Sequence, residues 1–314
     1  MDIAISVLHS SFAVFGIINN SLLIILALFK SPRVLRIFSI LILSHAITDL
    51  GICIIDLFNQ ARLIPCDYTI AFISNGLCRF FGSSFCFAAQ VIELHFLTHS
   101  LYLILLSFCY RLYVLHRPAP RIKVLIFIIL IVYIPSLFMV ATLLTNPRSD
   151  YATLEKLVLK RFPTYNVSGA ALNGYEDLTQ FAPLFSTLHS IIPTFPIYVT
   201  ILVLRKRIIV TLAKEKQYMG PETREIHSQL LKALSIQALL PGIVCLSIIC
   251  FLLGQMRILN HPLLEYLTFL IVLIVPSFSP LICLIYIRPY RKAILRVVCP
   301  KLGKVKPKAS GNSM

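Results

Sequence analysis

The sequence predicts an all-α membrane protein, a seven-transmembrane helix bundle followed by a short amphipathic helix. Three observations predict it. The 314-residue chain is 58% hydrophobic and only 13% charged, with a mean hydropathy of +0.85, whereas soluble domains carry about 25% charged residues. Seven stretches are apolar over the roughly 20 residues that a helix needs to cross a hydrocarbon core. The basic residues, finally, gather on alternate sides of those stretches, so the net charge of +16 is a topology signal and calls for no nucleic acid partner.

The stretches are residues 3–29, 37–58, 82–106, 124–145, 181–204, 230–254 and 263–287. The first has no basic leader and no small-residue cleavage site, and its apolar run is too long for a signal peptide, so it is read as a span. Seven crossings place the termini on opposite faces. With the C-terminus inside, 22 of the 29 Lys and Arg fall in inside segments and 7 outside, which sets the N-terminus outside and the C-terminus in the cytoplasm. The sequon Asn166-Val167-Ser168 then lies in the outside loop 146–180 and is a glycosylation candidate. A second sequon, at Asn19, lies inside the first span and is expected to stay bare. Pro135, Pro193, Pro196, Pro241, Pro276 and Pro280 interrupt spans four to seven, where each removes a backbone hydrogen bond and permits a kink.

Beyond the last span, residues 289–299 carry apolar side chains at 290, 293, 294, 297 and 298, the spacing of an amphipathic helix lying on the inner membrane surface. Cys299, just before Pro300, is a palmitoylation candidate. The basic, polar residues 301–314 read as a disordered tail after a single seven-span domain, 1–300. The nine cysteines form no CxxC cluster, so no zinc framework is indicated. Cys66, Cys78 and Cys86 fall outside or at the outer border. All three pairings are open, and the reading favours Cys66 bonded to Cys78 or Cys86, tying the long loop 59–81 to the third helix.

Several polar residues sit where burial is costly. Asp49 is nearly mid-span, so it must face the bundle and find partners, with Asn20 and Ser279 as neighbours in an intramembrane polar network. Glu93 lies seven residues after Cys86, about two helical turns inward; it either pairs with a cationic ligand or bonds a neighbouring His or Gln. Gln90, Asp56, His189 and Glu265 are further candidates to line the outer half of a ligand cavity. His95 and His99 share a helix face, and without a third ligand a hydrogen-bonded pair is the better reading than a metal site. No metal and no cofactor are expected. Arg111 follows directly on an apolar run, in SFCYRLYVL. It is either a cation snorkelling at the interface or part of a switch.

The motifs decide between these. GIINNSLLIILAL around Asn20, SHAITDL around Asp49 and Arg111 placed 25 residues after Cys86 resemble the landmarks of rhodopsin-like receptors, Arg111 matching the Arg of their Asp-Arg-Tyr triplet. SPRVLRIFSILILSHAITDL, NGLCRFFGSSFC, SFCYRLYVLHRPAPR and SPLICLIYIRPYRKAI together resemble the nematode serpentine chemoreceptors of class delta. The resemblance covers residues 16 to 300 and implies a G-protein-coupled chemosensory receptor that binds an external small molecule and signals to a heterotrimeric G protein. It also implies a plasma or ciliary membrane of sensory neurons, with Tyr110 and Arg111 as the coupling residues. The sequence departs from the wider pattern in four ways. It has no Trp, Ser279-Pro280 stands where Asn-Pro is usual, Tyr110 replaces the acid before Arg111, and loop 146–180 holds no cysteine for Cys86.

The rival class is a multi-pass transporter or channel, for which no inverted repeat is found. An enzyme is not expected, because the chain has no GxSxG, HExxH or P-loop motif. A retinal protein would need a core lysine between Lys232 and Lys292, and none is there.

Overall fold

The computed structural model describes residues 2–31, 36–146, 148–215, 220, 228, 229, 231–233 and 235–298. Its helices are α1 (Asp2–Phe29), α2 (Phe38–Asn59), α3 (Ser83–His116), α4 (Ile122–Thr145), α5 (Tyr151–Arg161), α6 (Phe181–Ile191), α7 (Thr194–Glu215), α8 (Leu240–Gln255), α9 (Pro262–Tyr286) and α10 (Arg288–Val298). Among the described residues, seven segments are long and apolar enough to cross a membrane. α6 and α7 together make the fifth of these, interrupted just before Thr194, where Pro193 cannot donate to the helical ladder. The seven-helix bundle is therefore as the apolar stretches predict.

The third and fifth spans outrun their expected ends. α3 continues three turns past residue 106 because residues 107–116 contain no Gly or Pro. It stops at Arg117, held extended (φ −141°, ψ 154°) by the steric demand of Pro118. Arg111 therefore sits within a helix and not at its end.

The larger difference lies in loops 59–81 and 146–180. They build a three-stranded antiparallel sheet, β1 (Ala61–Cys66), β2 (Thr69–Ser74) and β3 (Ala171–Tyr175), in the order β1-β2-β3. Ala61 pairs with Ser74 and Cys66 with Thr69, while Ile70 pairs with Tyr175 and Ser74 with Ala171. Asp67 turns the hairpin at φ 58°, a left-handed position that Asp tolerates better than most residues. Pro65 would argue against a central strand, and it lies on β1, an edge. One sheet face packs on Leu154 and Val158 of α5, whose first turn is capped by the Asp150 carboxylate accepting from Thr153 N–H at 3.1 Å. The other presents Ala61 and Leu63 to Phe251 and Phe269 of α8 and α9. The sheet thus covers one end of the bundle.

A disulfide joins Cys78 to Cys86. This corrects the expectation that Cys66 would be a partner. Cys66 is consumed by packing, buried among Ile64, Ile73 and Leu172, while Cys78 lies in the tight 3₁₀ turn Leu77–Phe81 and Cys86 in the first turn of α3, with their Cα atoms 5.1 Å apart.

Candidate functional site

Beneath the sheet, the bundle holds a partly open cavity of about 190 Å³. Leu63 and Phe72 form its roof, Gln90, Val91 and Leu101 of α3 one wall, Ser186 and Ser190 of α6 another, and Phe251 and Phe269 the far side. None of its lining side chains is charged. Of the five residues expected to meet a ligand, Gln90 alone lines this space.

The other four are engaged elsewhere. Glu93 turns toward α2, where its carboxylate accepts from Asn59 Nδ2 at 3.0 Å. Asp56 also faces away, bonded to His9 Nδ1 at 3.0 Å. Both carboxylates lie on the α1–α2–α3 side because His9 and Asn59 supply polar partners there, and a buried acid goes where its hydrogen bonds are. His189 stacks on Phe185 and lies tilted against Tyr102. Glu265 binds Arg62 of β1, whose Nε and Nη2 donate to its Oε2 at 2.7 Å, and it accepts the Tyr165 hydroxyl at 2.8 Å. The Arg62 guanidinium also lies over the rings of Tyr165 and Tyr266, 4.8 and 4.7 Å from their centroids. Burial opposes the Arg62 charge, but the Glu265 carboxylate outweighs it and holds that guanidinium above its ordinary pKa. Burial, reinforced by Glu265, also raises the Tyr165 hydroxyl. Glu265 is therefore a latch between the sheet and the last span.

Asp49, Asn20 and Ser279 meet around a second, smaller cavity of about 30 Å³. Asp49 accepts from the Ser100 hydroxyl at 2.9 Å and lies 3.3 Å from His45 Nδ1. Asn20 does not bond Asp49. Its amide donates to the carbonyls of Gly16 and Pro276, both at 2.9 Å, so it fills the acceptor freed by the Pro280 break one turn later. His95 and His99 pack against Tyr133 of α4, the His99 ring only 3.5 Å from it between centroids. Among the described residues no cluster of three His, Cys, Asp or Glu could hold a metal.

Arg111 is buried and not snorkelling. Its guanidinium lies 4.4 Å from the centroid of the Phe38 ring, on which Tyr110 also stacks. Its Nε and Nη2 have no hydrogen-bond partner among the described residues. Asn166 is exposed beside β3. Cys299 and the tail lie outside the described residues. His9, His45, Asn59, Arg62 and Tyr165 are the polar residues that sequence reasoning missed. Each is ordinary in its local context, and only its partner on another element marks it.

A helix bundle of this kind, with a cavity near one end and a buried arginine near the other, defines a multi-pass membrane protein. The crystal structure of squid rhodopsin matches the fold with a TM-score of 0.58 at 13% identity, over 98% of this chain and 87% of that one. A family model described as serpentine type 7TM GPCR chemoreceptor Srd matches residues 5–296. Serpentine receptor class delta-18 of Caenorhabditis elegans is 39% identical over 302 residues, covering 95% of this chain and 89% of that protein. Serpentine receptor class delta-19 of the same organism is 37% identical over 304 residues, with the same coverage. The chain belongs to the Srd family of serpentine chemoreceptors.

Proposed function

We propose that this protein is a chemosensory receptor that binds an external small molecule in the cavity under the sheet and signals through a heterotrimeric G protein at the opposite end. The observation that carries the reading is the continuous helix α3, which lines the cavity with Gln90 and carries the buried Arg111 about 30 Å away at 1.5 Å per residue. A shift of α3 at one end is felt at the other. The charge asymmetry supports an orientation with the sheet and Asn166 outside, the latter bearing a glycan, and the Arg111 end in the cytoplasm. The 22 basic and 3 acidic residues of that inner side suit anionic lipid and an acidic partner surface.

Arg111, with Tyr110 beside it, serves as the coupling residue. A guanidinium buried without an acid is destabilised, so a conformation that frees it toward a partner carbonyl is favoured once a ligand biases the bundle. Asp49, Ser279 and Asn20 form the polar hinge between these two ends, and Cys299 anchors the last helix to the inner leaflet by palmitoylation. The test is expression with a promiscuous G protein and an odorant screen. Arg111→Ala should abolish signalling while surface expression and ligand binding persist. Full signalling by that variant would refute the assignment.

A further inference from the structure

The hydrogen-bond inventory of the cavity wall restricts what it can hold. Tyr175 donates to the Leu143 carbonyl, Ser190 to that of Ser186, Thr194 to that of Ser190 and Thr268 to that of Leu264, at 2.8 to 3.0 Å. Those hydroxyl hydrogens are used within the wall. The hydroxyls of Ser186 and Thr187 can rotate to donate or accept.

Gln90 differs from all of these. Its amide oxygen accepts from Asn59 Nδ2 at 2.7 Å, and Asn59 is itself oriented by the Ser74 hydroxyl donating to its Oδ1 at 2.8 Å and by Glu93. The chain Ser74–Asn59–Gln90 runs from strand β2 through α2 into α3 and leaves the Gln90 nitrogen as its last member. Gln90 is 4% exposed, lines the cavity, and its Nε2 has no acceptor among the described residues. The Asn59 bond fixes the orientation of the amide, and the nitrogen it leaves over can only donate. A donor held in an apolar, uncharged space is costly to leave unpaired.

We propose that Gln90 reads the polarity of the ligand, and that the ligand is a neutral, mostly apolar molecule bearing one hydrogen-bond-accepting carbonyl, as in a ketone, aldehyde or ester. This rests on the cavity being the ligand site and names the class of molecule it takes. A cation finds no counter-charge among the lining residues, and a hydrocarbon leaves the Gln90 amide unanswered.

Menthone, menthol and menthane share one carbon skeleton and test the inference on the receptor in lipid nanodiscs by thermal-shift titration. The ratio of menthone to menthane affinity is compared between the wild type and Gln90→Met, so partitioning into lipid cancels. The wild type should favour menthone by about tenfold and the variant should bring the two within about twofold. Equal ratios in both proteins would overturn the inference while leaving the cavity as a ligand site. Preference for menthol, with menthone no better than menthane, would also overturn it, since the amide would then be presenting its oxygen. Binding of none of the three would overturn the cavity reading as well. A readout on the wild type alone is the infrared carbonyl stretch of bound menthone. It should fall below its value in an alkane solvent, and an unshifted band refutes the donor.

Discussion

Replacing Arg62 with Leu is expected to loosen the sheet from the last span. Arg62 is the cation that faces Glu265, and their side chains are 14% and 4% exposed. Removing one member of a buried pair leaves the other charge uncompensated, at about 3–5 kcal/mol. The Tyr165 hydroxyl remains on Glu265, so the lower end of that range applies, about 3 kcal/mol, or roughly a 150-fold larger open population. Cys66 reports on opening. It lies on the same strand as Arg62 and is 3% exposed, and burial pushes its thiol up to about 12. Alkylation of Cys66 at neutral pH, read by mass spectrometry of its peptide, should accelerate by about that factor if labelling follows opening. Glu265→Gln keeps an acceptor for the Arg62 guanidinium, which is the more exposed partner and still rests on the Tyr165 and Tyr266 rings, and should accelerate it only a few-fold. The discriminating protein is the double variant Arg62→Leu with Glu265→Leu, in which no orphan charge remains. It should label more slowly than Arg62→Leu alone. Labelling of Arg62→Leu within about twofold of the wild type, or a double variant as leaky as the sum of the singles, would refute the reasoning.

Other outcomes follow from single features of the sheet end. Cys78→Ser opens a disulfide between residues eight apart, and loop-closure entropy puts its loss at about 2–3 kcal/mol; surface expression and thermal stability should both fall, and an unchanged melting profile contradicts this. Gly174→Val should unpair β3 from β2, because Gly174 adopts φ 143° and a Cβ there would run into the Ile70 carbonyl; hydrogen exchange across residues 70–74 is the check, and unaltered protection contradicts it. Asp150 is held below its ordinary value of 3.8 by the Thr153 hydroxyl and N–H. A depressed carboxyl contributes stability that is present above its unfolded value and lost as pH falls through the folded one. Acidification below about pH 3.8 should therefore raise exchange at the amides of Tyr151–Arg161, and Asp150→Asn should remove that pH dependence.

The bundle is legible residue by residue because lipid imposes a length and an apolar composition on each span, and both can be counted along the chain. The sheet was not legible, since ARLIPC and TIAFIS are short apolar runs, one broken by proline, and their pairing partner ALNGY lies about a hundred residues away. The polar residues divide in the same way. That Asp49 and Glu93 are buried follows from their depth in a span, but a helix periodicity does not state which neighbour each one turns to. Glu93 chose Asn59 and left the cavity to Gln90, three residues earlier on the same helix.

By itself, then, the sequence determined the spans, the family resemblance and the asymmetry of charge, all of which are properties of local composition set against a bilayer. Tertiary structure decided the Cys78–Cys86 bond, the Arg62–Glu265–Tyr165 latch and the amide chain that ends at Gln90. Those depend on directional contacts of a few ångströms, most of them between elements far apart in the chain, and such contacts exist only once packing has fixed where each side chain points.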